Sequence, residues 1–343
     1  MLSAAPKTMD RNAYRLRPFA DDDYPALSRV RGRTQPELPS TPEEERDWDR
    51  FSSTAHLTRE RWVVEMRSSS EVVAVAELGE SPYSHEPHKF WVNVMVDPDH
   101  SHRGIGRALV HLLEGEAAEH RAVGFWSNVR ASDPRARKFS ENAGFAALRT
   151  TWMSELDLKE ATLPVLEDRA VELERQGIRL TTLAAEGYQR REVRERLLDL
   201  WNEASRDVPR MGKFTPVTFE VLSVELDEPY QIPEAFFLAC SGDQYVASSH
   251  LQREPARPDS LIVGFTGTRG SFRGRGIATE LKRRSLEYAR ENGYRVLRTF
   301  NDSLNPAIWA INEKMGFRRS LEITQLERRF SPPPTPGPLT VVH

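Results

Sequence analysis

A chain of 343 residues has room for two domains of ordinary size, and its formal net charge of −3 offers no basic field to draw in nucleic acid. The lone cysteine, Cys240, excludes an intramolecular disulfide and fits a reducing cytoplasm. No apolar run reaches the length of a membrane span, and residues 1–13, without a signal-like apolar core, read as a loose leader.

Residues 14–17 predict a first strand. Pro18 and Asp21-Asp22-Asp23 lead into a helix over 24–31, since carboxylates are favoured at the positive end of the helix dipole. Pro36, Pro39 and Pro42 break the stretch 35–42. Thr41-Pro42-Glu43-Glu44 then starts a second helix, with Thr41 as cap and Pro42 at the first position. Residues 61–66 and 71–78 read as paired strands, 81–87 as a loop and 90–96 as a central strand. The turn Ser101-His102-Arg103-Gly104-Ile105-Gly106 opens a helix over 107–120. A strand over 123–129, a helix from Asp133-Pro134 to Gly144 and a strand over 152–158 complete the first half. Residues 159–175, rich in Glu, Leu and Arg, predict a connecting helix or linker.

The second half repeats the plan. It has a strand at 178–180, helices over 192–205 and 219–225 separated by an irregular loop at 209–216, and strands over 235–240 and 245–250. Ser241-Gly242-Asp243-Gln244 is the turn joining those two strands. A β-branched strand, 261–268, precedes Arg273-Gly274-Arg275-Gly276-Ile277-Ala278, which opens a helix over 279–292 and is followed by a strand at 296–300. From Ser331 the prolines 332, 333, 334 and 336 prevent any further packed element.

A strand, a glycine-rich turn and a helix start form a device for holding phosphate. Glycine lets the backbone approach a ligand closely, and the first helical turn offers free N–H groups at the positive dipole end. Arg273 and Arg275 add full charges. Neither turn is followed by Gly-Lys-Ser/Thr, and neither completes a dinucleotide fingerprint. The turn occurs twice: Gly104 and Gly276 lie 276 − 104 = 172 positions apart, and so do Gly144-Phe145 and Gly316-Phe317. Ile105/Ile277, Leu109/Leu281, Pro134/Pro306 and Glu141/Glu313 keep the same offset, so the chain reads as two copies of one domain.

With these residues in view, each copy resembles the GNAT acyltransferase superfamily, whose central motif is Arg/Gln-x-x-Gly-x-Gly/Ala after a strand, with a later helix ending in Gly-Phe. The second copy fits throughout, with Arg273, Gly276, Ala278, Asn305 and Gly316-Phe317. The first keeps Gly104 and Gly106 but has Ser101 where the arginine or glutamine belongs and Asp133 where the asparagine belongs. The tandem arrangement is similar to that of mycothiol synthase and related two-copy acetyltransferases. The resemblance implies an α/β (α+β) fold of two tandem domains, each a mixed, mostly antiparallel sheet flanked by helices. The expected limits are 14–158 for the first domain, 159–176 for a linker, 177–330 for the second and 331–343 for the tail.

It also implies acetyl-CoA as donor substrate, no metal, and transfer of the acetyl group from thioester to amine by direct attack in a ternary complex. Coenzyme contacts are expected at Thr266, Gly267, Thr268, Arg273, Gly274, Arg275, Gly276, Ile277, Ala278 and Asn305. In the first copy they are expected at Val96, Arg103, Gly104, Ile105 and Gly106, where binding is weak or the copy serves structure. Free backbone groups at 266–268 suit the amide-bearing arm, as an added strand would be held. The amides of Gly267 and Thr268 are candidates for polarising the carbonyl. The base that takes the amine's proton is open among Glu234, Glu254 and Asp302, with Glu234 ahead because it adjoins a predicted strand. Many family members carry an acidic tyrosine four residues before Gly-Phe; Asn312 and Ser140 stand there, and Asn312 is assigned to the arm or the sulfur. Asn305 also reads as a helix cap before Pro306.

His85-x-x-His88 and His100-x-His102 lack the carboxylates or cysteines of a metal site and read as surface histidines, while Cys240, Trp201, Trp309 and Met315 read as core. The expected partners are coenzyme A and a small-molecule amine, with no membrane or nucleic acid, in a monomer or homodimer. Two other readings stay open: a non-catalytic acyl-CoA sensor and a protein-modifying acyltransferase.

Overall fold

The computed structural model describes residues 8–82, 84–159 and 168–331. The expected leader up to residue 7, the linker at 160–167 and the tail at 332–343 lie outside the described residues. Contacts divide the chain into unit 1, Met1–Arg149 with Ile323–His343, and unit 2, Thr150–Glu322.

Unit 1 opens with β1 (Tyr14–Pro18), α1 (Tyr24–Thr34) and α2 (Pro42–Thr54). Thr41 accepts from the Glu44 amide at 3.2 Å and the Glu44 carboxylate accepts from the Thr41 amide at 2.6 Å. Two of the helix's orphan donors are thereby satisfied reciprocally. Next come β2 (Arg59–Met66), β3 (Val72–Gly79), the two-residue β4 (Ser84–His85), β5 (Lys89–Val96), α3 (Ile105–Glu119), β6 (Gly124–Arg130), α4 (Pro134–Asn142) and β7 (Ala146–Asp157). The sheet runs β1-β2-β3-β5-β6, antiparallel except for the parallel β5–β6 pair. β3 is buried at every position. Leu27 and Val30 of α1 pack in one apolar cluster, and Leu109 and Leu113 of α3 in another. Helices on both faces explain why the strand is buried along its whole length and, apart from Glu77, carries no polar side chain in alternation.

Unit 2 contains α5 (Ala170–Arg175), β8 (Ile178–Thr182), α6 (Leu183–Glu186), α7 (Arg191–Ala204), β9 (Lys213–Phe214), α8 (Phe219–Asp227), β10 (Gln231–Ser241), β11 (Gln244–Arg253), β12 (Ser260–Thr268), α9 (Ile277–Glu291), β13 (Val296–Asp302) and α10 (Pro306–Lys314), and β14 (Arg318–Arg329) follows. Its sheet runs β7-β13-β12-β11-β10-β8, with β12 and β13 parallel. Ile277 and Leu281 of α9 pack with Ala239, Val246 and Val263, and on the other face Leu197 and Trp201 of α7 pack with Phe236 and Leu238. Each such side chain contributes roughly 1.5–3 kcal/mol by leaving water. Trp201, Trp309, Met315 and Cys240 are all buried. Burial pushes the Cys240 thiol up to about 11, which leaves it an inert packing group.

The final strands are where this division departs from the limits expected from the repeats. Thr151 to Asp157 of β7 lie antiparallel to β13 inside unit 2, while Ile323 to Arg329 of β14 lie antiparallel to β6 inside unit 1. The limits 14–158 and 177–330 keep each last strand with its own repeat; the contacts place it with the other. A sheet edge accepts any strand that presents free N–H and C=O groups, so repeat length alone does not say which partner it takes. Gly124 marks how close β14 comes, because a Cβ there would lie 2.4 Å from the Arg328 carbonyl oxygen. Gly124→Ala is therefore expected to destabilise by about 1–3 kcal/mol. Gly115→Ala, in α3 with open space around it, is expected to lose nothing. Denaturant melts of the two variants check the pair.

Candidate active site

The second glycine turn is anchored from behind. Arg269, just past β12, is 3% exposed; it donates to the Tyr245 carbonyl at 2.7 Å and pairs with Asp199 and Glu203 of α7. The turn then passes through a 3-10 segment, Gly270–Phe272, and reaches α9 through Gly274 and Gly276, at φ +76° and +80°. These are left-handed values that glycine alone adopts freely. α9 has no side-chain cap. The Phe272 amide bonds to Arg269 and the Arg273 amide to Gly270, and the ladder of α9 begins with the Glu280 amide on Gly276. Among the described residues, the amides of Gly274, Arg275, Gly276, Ile277 and Ala278 have no protein acceptor. Arg273, Gly274 and Arg275 are exposed and Gly276 is half-buried. This is the arrangement expected of an anion cradle.

The two arginines stand at its rim. Arg273 donates to the Thr268 carbonyl at 3.1 Å and pairs with Asp207, while Arg275 donates to the Ser271 carbonyl and lies over the Phe272 ring. A third arginine was not singled out from sequence. Arg169 packs over Gly276, where a Cβ would come within 2.6 Å of its Nη1, and its amide donates to buried Glu280. It sits just before α5, in a segment whose sequence looks like any charged linker.

β12 next to the turn is bulged. Its register with β11 runs Thr268, Gly267, Thr266 opposite Ala247, Ser248, Ser249, then shifts so that Val263 faces Leu251. Gly264 and Phe265 together oppose His250. A Cβ on Gly264 would sit 2.2 Å from His250 Nε2, so a glycine is required there. On the other side, β12 pairs with β13 only at Ser260, Ile262 and the residue between, opposite Val296 to Arg298. Beyond Ile262 the two strands part, with the Thr299 hydroxyl reaching the Val263 carbonyl at 3.4 Å. The parting leaves backbone groups of β12 along an open edge, and the bulge bends the strand there.

Thr266 shares a hydrogen bond with Ser249 through their hydroxyls at 2.9 Å, and the buried Thr268 hydroxyl has no partner. Gly267 has a packing reason of its own, since a Cβ would meet the Phe265 ring at 2.4 Å. Asn305 caps α10, accepting from the Ile308 amide.

The expected catalytic side chains do not converge here. Glu234 is exposed on β10, in the irregular stretch between Gln231 and Phe236, and lies near Tyr288. Tyr288 is eleven residues along α9 from the cradle, roughly 16 Å by helical rise. A neighbour of a core strand in sequence is thus not a neighbour of the cradle in space. Glu254 pairs with Arg298, and Asp302 accepts from the Leu304 amide in the turn before α10. Asn312 is fully buried and its amide is engaged by protein groups: Oδ1 accepts from Lys282 Nζ at 2.6 Å and Nδ2 donates to Asn301 at 2.7 Å. That arrangement takes its side chain away from the arm or sulfur contact expected of it. Burial pulls the Lys282 amine down to about 7.

Unit 1 keeps the cradle and the parting of its parallel strands, since β5 pairs with β6 only from Lys89 to Trp91, opposite Gly124 to Trp126. Gly104 caps α3 at φ +81°, matching Gly276, and Ile105 is buried. Arg103 is turned onto the Tyr14 hydroxyl and the Asp99 carbonyl. What it lacks is the bulge, because β5 pairs with β3 from Trp91 to Val96 without a register shift. The Phe139 ring lies 3.2 Å from where a Gly106 Cβ would be, with Val96 alongside at 3.8 Å, so the space past the helix start is taken. Deeper in the unit, Arg31, Arg59 and Arg61 surround Glu77. Burial favours the acid, but the three guanidiniums outweigh it and hold Glu77 well below the carboxylate range. Asp133 caps α4, accepting from the Arg135 and Ala136 amides. His100 bonds the Tyr14 hydroxyl and His88 the His120 carbonyl. The His85 side chain lies outside what the structure describes. Among the described residues no three His, Cys, Asp or Glu groups could hold a metal ion, and no helix is long and apolar enough to cross a membrane.

Comparisons with known proteins bear on this geometry. The sequence profile of the acetyltransferase (GNAT) family matches residues 22–145 and 195–317. A mycothiol acetyltransferase of Nocardiopsis dassonvillei is 25% identical over 243 residues, 65% of this chain and 70% of that enzyme. The ribosomal protein bS18-alanine N-acetyltransferase of Escherichia coli is 36% identical over 70 residues, 20% of this chain and 47% of that enzyme. Among solved structures, a tandem GNAT protein from the clavulanic acid biosynthesis pathway superposes with a TM-score of 0.70 at 18% identity, covering 92% of this chain and 98% of that one. A GCN5-related N-acetyltransferase from Sphaerobacter thermophilus gives 0.68 at 20% identity, covering 94% and 97%. These two likenesses concern the fold.

His250 yields a measurable consequence. It is 1% exposed, stacked on Phe236 at 4.6 Å and Trp201 at 5.6 Å, and its Nδ1 has no partner. Burial pulls it from 6.5 down to about 4, with a backbone contact at Phe265 opposing only partly. Below pH 6.5 the unfolded chain binds a proton that the folded chain refuses. Its stabilisation is therefore complete above pH 6.5 and is lost as pH falls toward 4, by at most about 3 kcal/mol. Stability measured from pH 7 to 4 is expected to drop across this window in the wild type and to flatten in His250→Phe.

Proposed function

The chain belongs to the GNAT acetyltransferase family and is an acyltransferase, and on that premise we propose that unit 2 transfers the acetyl group of acetyl-CoA to the primary amine of a small molecule. One observation carries the reading: the edge of β12 freed beyond Ile262, leading directly to the unpaired amides of the cradle. In this reading the diphosphate lies on the amides of Gly274, Arg275, Gly276, Ile277 and Ala278, with Arg273 and Arg275 screening its charge. The arm runs back along Thr268, Gly267 and Thr266 as an extra strand, and Asn305 at the head of α10 adds an amide partner. The thioester carbonyl then comes to lie beside the bulge, where a fixed backbone N–H stabilises the oxyanion. Such a donor is worth roughly 100- to 1,000-fold in rate.

The amine attacks the carbonyl carbon, the C–N bond forms as the C–S bond breaks, and the nitrogen gives up its extra proton. With Glu234, Glu254 and Asp302 placed as described, that proton leaves through water in the open cleft. Unit 1 serves structure or binds coenzyme weakly. A small acceptor is favoured because the relative matching most of the chain is named for mycothiol, whereas the relative named for a ribosomal protein matches one fifth of it.

Free-thiol release from acetyl-CoA with a panel of primary amines tests the reaction. Coenzyme A calorimetry tests the site: Arg273→Glu is expected to weaken binding at least ten-fold and Arg103→Glu less than two-fold. Equal losses in the two variants overturn the assignment to unit 2, and thiol release from acetyl-CoA only when a protein is the acceptor overturns the small acceptor.

A further inference from the structure

Unit 2 holds a buried polar cluster that unit 1, built on the same plan, does without. Lys282 of α9 is 3% exposed, Asn312 of α10 is 0% and Asn301 of β13 is 5%. They form a chain from Lys282 Nζ to Asn312 to Asn301, with the Phe317 ring 5.6 Å from the amine. At the offset of 172 the first copy has Val110, Ser140 and Val129. Both copies have the same helix and strand lengths here: α3 and α9 span fifteen residues, β6 and β13 seven, α4 and α10 nine. The fold therefore does not need a polar cluster at these places.

It is also costly to keep. A buried ammonium demands a counter-ion or full hydration. Among the described residues no carboxylate lies within ion-pair distance of Lys282, and its one hydrogen-bond partner is Asn312. The charged groups of the elements around it are committed elsewhere. Glu280 on α9 pairs with Arg283 and Arg284, Arg298 on β13 with Glu155 and Glu254, and Glu313 and Lys314 at the end of α10 are exposed. Asn301 lies three residues past Arg298, in the part of β13 that has parted from β12. The amine thus sits where α9, α10 and the freed end of β13 meet.

We propose that Lys282 is the proton donor to the sulfur that leaves coenzyme A, with Asn312 and Asn301 holding its amine toward the opened edge of β13. The proposal rests on the reading of unit 2 as the acetyl-transfer site. As the C–S bond breaks, the electron pair goes to sulfur, which takes a proton from the Lys282 ammonium. The neutral amine is recharged by solvent, which has received the proton lost by the acceptor nitrogen, so amine and thioester become amide and thiol with no other reactant. Burial alone brings the amine near 7, where it gives and regains a proton readily.

Two measurements decide. In an experimental structure with coenzyme A, Lys282 Nζ is expected within hydrogen-bond reach of the sulfur, directly or through one water. A diphosphate on the cradle with the sulfur well beyond that reach overturns the proposal and leaves the site reading intact. A diphosphate elsewhere overturns both. In solution, kcat for thiol release is expected to fall as pH rises above about 7 in the wild type, because the donor is spent. Lys282→Met, which removes the buried charge without adding bulk, is expected to abolish that limb and lower kcat at least ten-fold at pH 7. Its KM for acetyl-CoA and melting temperature are expected to hold. An unchanged limb in a folded Lys282→Met overturns the assignment.

Discussion

The end of pairing between β12 and β13 at Ile262 and Arg298 is the constraint on which unit 2 depends. Two adjacent parallel strands normally satisfy each other's backbone groups along their length. Here pairing stops after three residues, as it does between β5 and β6, and β12 adds a bulge: His250 fills the space opposite Gly264 and the strand carries one residue more than the ladder accepts. The cost is a set of backbone groups without strand partners; the gain is an edge able to bind a chain of amides. The cradle follows from the same strand, because its end at Thr268 and the anchoring of Arg269 on α7 set where α9 begins.

The two repeats act as an internal control. Both keep a left-handed glycine at the head of the helix after the turn, so both have the cradle. Unit 1 lacks the bulge, lays Phe139 against the helix start and packs arginines around Glu77. A charge network of that kind stabilises little beyond what an apolar core would, but it occupies the volume. What distinguishes the copies is the bulge and the packing beside the helix start, and neither the glycine turn nor the parting of the parallel strands.

Much of this was legible in the sequence, for stated reasons. Thr41, Pro42 and Glu44 carry a local rule for starting a helix, and the helix starts there. The glycines of the turns need φ values that other residues avoid, so they stand out from their neighbours. The even offset between repeats carried the fold. The parts that stayed hidden depend on contacts distant in sequence. The bulge shows only as one residue of extra strand, β12 spanning nine residues where β5 spans eight. Glu234 adjoins a core strand in sequence yet faces the far half of α9. Arg169 belongs to a linker, and Lys282 sits among the arginines of an ordinary amphipathic helix; only comparison with Val110 makes it conspicuous.

The exchanged last strands have a consequence for how the molecule comes into being. Residues 1–149 of unit 1 are made first on the ribosome, yet the strand that covers the edge of β6 ends at Arg329, about two hundred residues after β6 itself. Until those residues emerge, β6 presents an unsatisfied edge of the sort that invites association with other nascent chains. Closing such a long loop also slows folding, since the entropy of closure is lost before the contacts form. A gene cut between the repeats would yield two halves that each lack the last strand their sheet holds in the whole chain.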